Sequence, residues 1–425
     1  MFGRNTEVYL HILVVSQYFW PENFRINDLV EELVQRGHNV TVLTGIPNYP
    51  SGEIFTIYRK KPSNFGQYKG AKVLRVPMLT RGNDNFLLML NYLSFVISGC
   101  TWGAWLLRGI KVDVIFVFEP SPVTVGLPAI WIAKIKKIPI VFWVLDLWPE
   151  TLAAVGAVRS TFVLGLFGYI VRFIYNRCTL VLGQSRGFME SIGNYCSNKA
   201  KIRYFPNWAE GIFKEVDVLP APELHKLENV FSIVFAGNIG EAQDMPAVLD
   251  AAEKLNNNPF IRWIIVGDGR KSEWIHAEVI RRGLNKMILL GHHPPERMPS
   301  FYAHADALLV SLKRDPVFSM TIPGKLQSYL YVGKPLLGML DGEGATLIKD
   351  AGAGLTCAAG DSVELAKAVL ALADMSEEER RQLGLNGKRY AKNEFDRTRL
   401  MDYLEELLRE AVTKGKAETE KDTYK

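Results

Sequence analysis

Short runs of β-branched, aliphatic and aromatic residues recur along the chain, and between them apolar positions return every three or four residues. In the first half the strand-like runs are HILVVS (11–16), NVTVLT (39–44), KVLRVP (72–77), DVIFVF (113–118), PIVFWVL (139–145) and LVLGQS (180–185). Several are apolar without alternation, as strands are when helices cover both faces of a parallel sheet. A weakly patterned stretch, 214–228, precedes a second series: FSIVFAG (231–237), IRWIIVG (261–267), MILLGHH (287–293), ALLVSL (307–312), KPLLGML (334–340) and GLTCAA (354–359). The pattern predicts an α/β protein of two doubly wound, Rossmann-like domains, 1–210 and 229–395, facing a cleft. Helical spacing continues over 361–373, 376–393 and 396–412. The last of these helices is expected to pack back on the first domain, and the charged tail 413–425 to be disordered.

One predicted helix carries an oddly placed charge. In SMTIPGKLQSYLYVGKP (319–335), Pro323 suits the first helical position, Gly333 and Pro335 mark the stop, and Leu326, Tyr329 and Leu330 form a buried face. Lys325 then falls in the first turn, where the helix dipole disfavours a cation. Either its stem snorkels to water, or it joins the free N–H groups of the helix start in binding an anion.

Composition narrows the function. The 425 residues are 48% hydrophobic, ample for two cores, and the net charge is +5. The basic residues are scattered, without an arginine-rich arm or an aromatic-interleaved stripe, so nucleic acid is not an expected partner. Cys100, Cys178, Cys196 and Cys357 lie far apart and form no C-x-x-C pair, which suggests neither a zinc site nor a disulfide framework but a reducing cytosol. The N-terminus runs into a strand-like segment without a signal-peptide cleavage pattern.

Phe86 to Leu107 is 22 residues without a charge, long enough to cross a bilayer. Asn91, Ser94, Ser98 and Thr101 fall on one helical face, and apolar residues occupy the rest. Strand-like runs on both sides look like neighbours in one sheet, which argues against a span. An interfacial helix, flanked by Arg81, Arg108 and Lys111, and an ordinary buried helix remain as readings.

Turns after the second-half strands carry glycine or polar residues: GNIG (237–240), GDG (267–269), GHH (291–293) and SLKRD (311–315). Ligands of open α/β sheets bind at the carboxyl ends of strands, so these turns can converge with the helix at 323. GDGRKS lacks the third glycine of a dinucleotide fingerprint, which disfavours a nicotinamide enzyme. Lys313 and Lys325 can compensate the charge of a leaving diphosphate. In the first half, Glu119 in FEPSP and Asp146 in VLDLWPE put carboxylates at the ends of apolar strands. That placement points to a site or to a satisfied loop network.

The chain resembles the GT-B glycosyltransferases of family 4, and more narrowly the bacterial branch that includes N-acetyl-L-fucosamine transferases of surface-polysaccharide assembly. The resemblance runs from about 11 to 410 through VVSQYFWPENFRINDLVEELVQRGHNVTVLTGIPNYPSG, LDLWPE, PNW, FAGNIG, VGDG, LLGHHPPERMPSFYAHADALLV and TIPGKLQSYLYVGKPLLG. It implies that the second domain binds a UDP-sugar and the first an acceptor, with no cofactor and no obligatory metal. By position, Gly237, Asn238 and Gly240 would approach the diphosphate with the turn of Gly267, Asp268 and Gly269. His292 and His293 would lie near the base, and Lys313 and Lys325 would carry the charge. Relatives have an E-x7-E pair where this chain has Met320 and Ser328, and basic residues where it has Asn238 and Gln243, so Ser328 is a candidate ribose contact.

Glu22 and Asn23 stand where many relatives have a glycine pair. Asn23 and Arg25 would reach a donor phosphate or the acceptor, or Asn23 would cap the helix; Glu150 joins the acceptor candidates. Retaining relatives use the leaving diphosphate to help deprotonate the acceptor, so Asp146 and Glu119 would position the acceptor or steady positive charge. The reading is a peripheral or monotopic transferase on the cytoplasmic face of the membrane, contacting it through 86–107 and acting on a polyprenyl-diphosphate-linked saccharide. A catalytically silent nucleotide-sugar-binding partner and a UDP-sugar epimerase are the alternatives.

Overall fold

The computed structural model describes residues 9–82, 84–209, 218–225, 227 and 229–423. Much of the weakly patterned 214–228 stretch lies outside them. The chain divides into two compact units. The first takes the chain to Gln184, Phe188–Phe205 and the C-terminal segment from Thr398; the second takes Pro206–Arg397 with the short piece Ser185–Gly187.

The first unit is built on eight strands: β1 (His11–Val15), β2 (Asn39–Thr44), β3 (Gln67–Tyr68), β4 (Ala71–Arg75), β5 (Val114–Glu119), β6 (Ile140–Val144), β7 (Leu180–Gly183) and β8 (Ile202–Tyr204). Their order is β3-β4-β2-β1-β5-β6-β7-β8, and all pairs are parallel except β3 with β4. β1 is central, with Val14 opposite both Val42 and Phe116, which explains its unbroken apolar run. Strand order reverses at β1 and β5, so the carboxyl ends of these two strands border the position where open sheets of this kind bind ligands.

Helix α1 (Arg25–Gln35) buries Ile26, Leu29, Val30 and Leu33, one face at helical spacing. Helix α2 (Asn85–Ser98) inverts the usual amphipathic arrangement. Its docked side is the polar one: Asn91 is fully buried, accepts from Gln17 Nε2 at 2.8 Å and donates to the Leu79 carbonyl at 2.5 Å. Phe86, Met89, Leu93 and Ile97 are exposed. A π-helical turn, Gly99–Gly103, carries α2 on to Leu106, and any Cβ at Gly99 would lie 2.8 Å from Pro128. Helices α3 (Gly126–Lys136) and α4 (Thr161–Arg177) complete the β5–β6 and β6–β7 crossovers.

The second unit has six parallel strands: β9 (Phe231–Ala236), β10 (Ile261–Val266), β11 (Met287–Gly291), β12 (Ala307–Ser311), β13 (Leu336–Met339) and β14 (Gly354–Cys357), in the order β11-β10-β9-β12-β13-β14. Its reversal falls between β9 and β12. Helix α5 (Gly324–Val332) starts one residue later than the sequence pattern predicts, with Pro323 at the N-cap; Gly333 closes it in the left-handed region at φ 76°.

The last helix, α6 (Arg397–Thr423), returns to the first unit and buries Leu400, Met401, Leu404, Leu407, Leu408 and Ala411. Asp402 pairs with Arg36 at 2.5 Å, Glu405 with His38 at 2.8 Å and Glu410 with Arg203 at 2.7 Å. The tail expected to be disordered from 413 is instead helical to Thr423. Glu410 pairs with Lys414 at 2.6 Å one turn on, a helix-stabilising spacing that the charge-rich composition hid.

Candidate active site

In the second unit the site grows from the end of β9. Gly237 follows Ala236 at φ 139°, and Gly267 follows Val266 at φ 142°, backbone conformations that favour glycine. A Cβ on Gly267 would lie 1.9 Å from the Gly237 carbonyl oxygen, so the two turns meet backbone to backbone. Gly237 N–H donates to the Val266 carbonyl at 2.9 Å, Ile239 N–H to that of Asp268 at 2.9 Å and Gly267 N–H to that of Gly291 at 2.8 Å. The first demand on these glycines is therefore this close zipper of three turns.

Lys325, one residue into α5, points its ammonium inward. Part of the residue reaches solvent, but Nζ is buried, has no hydrogen-bond partner, and lies 3.7 Å over the Phe235 ring. A Cβ on Gly237 would sit 3.0 Å from it. Desolvation with no compensating anion lowers its pKa to about 7. The snorkelling alternative is thus excluded. Tyr329, one turn later, fixes the helix by accepting from Ala236 N–H at 2.8 Å and donating to the Ala236 carbonyl at 3.1 Å. Phe235 and Tyr329 escaped the sequence reading because each looks like ordinary core.

Asn238 lies beside the Gly240 and Gly269 turns, and Gln243 Oε1 accepts from Gly240 N–H at 3.0 Å. Asp268 is exposed; the neighbouring Ser272 side chain, the Gly269 N–H that donates to it at 2.7 Å and the nearby His292 hold its carboxyl below the usual range. His293 instead packs on Phe301, ring centroids 4.7 Å apart. Lys313 is exposed beyond β12, beside Asp244, and Ser328 is buried on α5. The geometry thus brings Gly237, Asn238, Gly267, Gly269 and Lys325 together.

In the first unit, Glu119 ends β5 and Asp146 follows β6. Glu119 is fully buried: one carboxylate oxygen accepts from Asp146 N–H at 3.3 Å and the other has no partner. Burial, with Asp146 beside it, pushes its pKa well above the usual range. Asp146 is also raised by desolvation, but it accepts from Trp148 Nε1 at 3.1 Å and from the Thr151 and Ser121 hydroxyls. Ser121 is held at φ 123°, a strained conformation that costs about 1–3 kcal/mol. The two carboxyls therefore differ: Asp146 has donors that favour its anion, while burial and the neighbouring Asp146 favour the protonated form of Glu119. Ser121 and Trp148 lie inside the FEPSP and LDLWPE motifs, where their polar groups were not weighed.

The acceptor candidates separate. Glu22 is 2% exposed and ties two loops together by accepting from Phe19 N–H at 3.0 Å, Asn48 N–H at 2.8 Å and Tyr49 N–H at 2.7 Å. Burial nevertheless raises its pKa to about 7. Its oxygens are taken by the backbone, which makes it a staple of the loop and not a surface group. Glu22→Gln places an amide N–H₂ against backbone donors and is expected to cost about 1–3 kcal/mol in denaturant unfolding, with acceptor KM unchanged. Asn23 is exposed and does not cap α1, whose N-cap is Phe24; Arg25 opens the helix. Glu150 accepts from Tyr195 OH at 2.9 Å. Among the described residues no cluster of three or more His, Cys, Asp or Glu is arranged to hold a metal.

Two doubly wound, mainly parallel sheets with polar turns at their carboxyl edges define the GT-B fold. Residues 23–208 match the model of the glycosyl transferase 4-like domain and 230–375 that of glycosyl transferases group 1. The chain belongs to the family 4 glycosyltransferases. It is similar to the putative colanic acid biosynthesis glycosyl transferase WcaI of Escherichia coli (strain K12), 27% identical over 342 residues that cover 76% of this chain and 82% of that one. Among solved structures, Anabaena HepE in complex with UDP and glucose matches at TM-score 0.68 and 16% identity, covering 94% of this chain and 99% of that one. Sucrose-phosphate synthase from Thermosynechococcus elongatus matches at 0.73 and 15%, covering 94% and 98%.

Proposed function

We propose that this glycosyltransferase moves a sugar, an N-acetylated amino or deoxy sugar, from UDP to a polyprenyl-diphosphate-linked saccharide at the cytoplasmic face of the cell membrane, in the assembly of a surface polysaccharide. The observation that carries the donor assignment is the buried, unpartnered Lys325 ammonium beside Gly237. An anion at that place would meet the lysine and the free N–H groups of α5 together, and a diphosphate supplies it. HepE, of like fold, is described with UDP, and WcaI is named for colanic acid biosynthesis.

In this reading transfer proceeds with retention. The leaving diphosphate oxygen takes the proton of the incoming hydroxyl on the same face of the sugar, while Lys325 offsets the charge left on the diphosphate. Asp146 orients the acceptor hydroxyl or steadies the positive charge that develops at the anomeric carbon. A silent nucleotide-sugar-binding partner is the second reading, motivated by Met320 and Ser328 in place of the glutamate pair.

Calorimetric titration with UDP, ADP and GDP in EDTA, followed by incubation of UDP-sugars with lipid-linked saccharides, tests both. UDP-selective binding and transfer are expected. UDP binding without transfer to any acceptor would establish the silent partner, and absence of UDP binding would overturn the donor site.

A further inference from the structure

The uncharged α2 is one part of a larger unpartnered surface. Strands β4, β5, β6 and β7 are parallel, and the β4–β5, β5–β6 and β6–β7 crossovers all step in one direction across the sheet. Right-handed connection places α2, α3 and α4 on the same face, each starting at the carboxyl edge and running back to the amino edge. Helix α3 packs against both α2 and α4.

Residue classes follow the same order along the two outer helices. On α2 and its continuation, exposed Phe86, Met89, Leu93 and Ile97 come first, Trp102 and Trp105 next, and exposed Arg108 and Lys111 last. On α4, Phe162 (82% exposed) and Leu166 precede Tyr169 (69%), with Arg172 and Arg177 at the end. Between them α3 exposes Trp131 and Ile135 beside Lys134 and Lys137. No Asp or Glu occurs in 85–107, 126–137 or 161–178. Aliphatic and phenyl groups, then Trp and Tyr, then Arg and Lys is the order of hydrocarbon, interface and headgroup in a bilayer.

We propose that α2, α3 and α4 form one graded face that docks on an acidic-lipid bilayer through their exposed apolar and aromatic side chains, with the basic helix ends at the headgroups. This deepens the membrane reading above and rests on it. Charge selects the occupant: apart from the exposed Asp84 cap of α2, the face carries cations and no carboxylate, and is complementary to an anionic lipid surface. Docked so, the end of the sheet carrying Asp146 and Glu119 is brought to the membrane surface, where the diphosphate and saccharide of a polyprenyl-linked acceptor stand.

Flotation of the full chain with phosphatidylcholine vesicles, with and without phosphatidylglycerol, tests this. Binding dependent on phosphatidylglycerol is expected. Phe162→Glu with Leu166→Glu on α4 should lower it about tenfold or more, as should Met89→Glu on α2. Lys134→Glu with Lys137→Glu should remove about tenfold of the preference for the acidic vesicles. Thermal unfolding of every variant reports the fold of the first unit, and UDP titration reports the donor site in the second. Vesicle binding that is absent, indifferent to acidic lipid, or unaffected by the α4 pair while UDP still binds would overturn this face and leave the transferase reading standing. Concentration-dependent self-association abolished by the α4 pair would overturn it in favour of a second copy of the chain.

Discussion

Lys325→Met is expected to weaken UDP binding by about ten- to a hundredfold, the loss of a hydrogen bond to a charged partner worth about 1.5–3 kcal/mol. The same substitution should stabilise the empty protein, because an ammonium with no partner over Phe235 is removed from apolar surroundings. The pH dependence has a definite sign. With a folded pKa of about 7 against 10.5 for the free side chain, the unfolded chain holds the extra proton between those values. Wild-type stability from this group therefore rises with pH across that window, and the melting-temperature advantage of the methionine variant should shrink from pH 7 to pH 10. A bound diphosphate would return the proton, so the binding heat at pH 8 should vary with the buffer's ionisation enthalpy. Buffer-independent heat with undiminished affinity in the variant would place the diphosphate elsewhere.

Asp146→Asn should depress transfer by about two to three orders of magnitude with UDP affinity unchanged. The asparagine can still accept from Trp148, and the Ser121 and Thr151 hydroxyls can turn to receive its N–H₂, so the fold should survive. Glu119→Gln should be milder, within about tenfold, because burial favours the protonated form that the amide mimics. With its folded pKa raised above 4.5, wild-type Glu119 keeps a proton that the unfolded chain releases, so its contribution to stability falls as pH rises above 4.5. Removing that fall should make Glu119→Gln the more stable protein near and above neutral pH. Thermal unfolding from pH 5 to 8 and transfer assays of both variants distinguish the roles; equal loss of transfer in the two would deny the division of labour between Asp146 and Glu119.

Strand sequence carried the architecture because β1, β5, β9 and β12 are buried on both faces and show it as unbroken apolar runs. The position of Lys325 was legible for a related reason: Pro323 and Gly333 bracket a short helix whose first turn the lysine must occupy. Its orientation was not, since inward and outward lysines share one sequence, and Phe235 lies 90 residues away. Glu22 misled for a similar reason. Three backbone N–H groups from two loops receive it, and backbone donors leave no trace in residue identity. The helical continuation of α6 was missed because charged, apolar-poor composition resembles a solvated tail until the i,i+4 pairing of Glu410 with Lys414 is counted.

The return of α6 to the first unit has a consequence for synthesis. All eight strands of the first sheet leave the ribosome before the helix that finishes their unit exists. At about 5–20 residues per second, the intervening stretch of nearly 200 residues takes roughly 10–40 s to make. Through that interval the surface destined for Met401, Leu404 and Leu408 stays bare, while the second unit already has its whole sequence before the chain ends. The nascent chain therefore passes through an obligatory period of stickiness in its older half, when a chaperone has most to protect, and the unit made second is the one free to fold first.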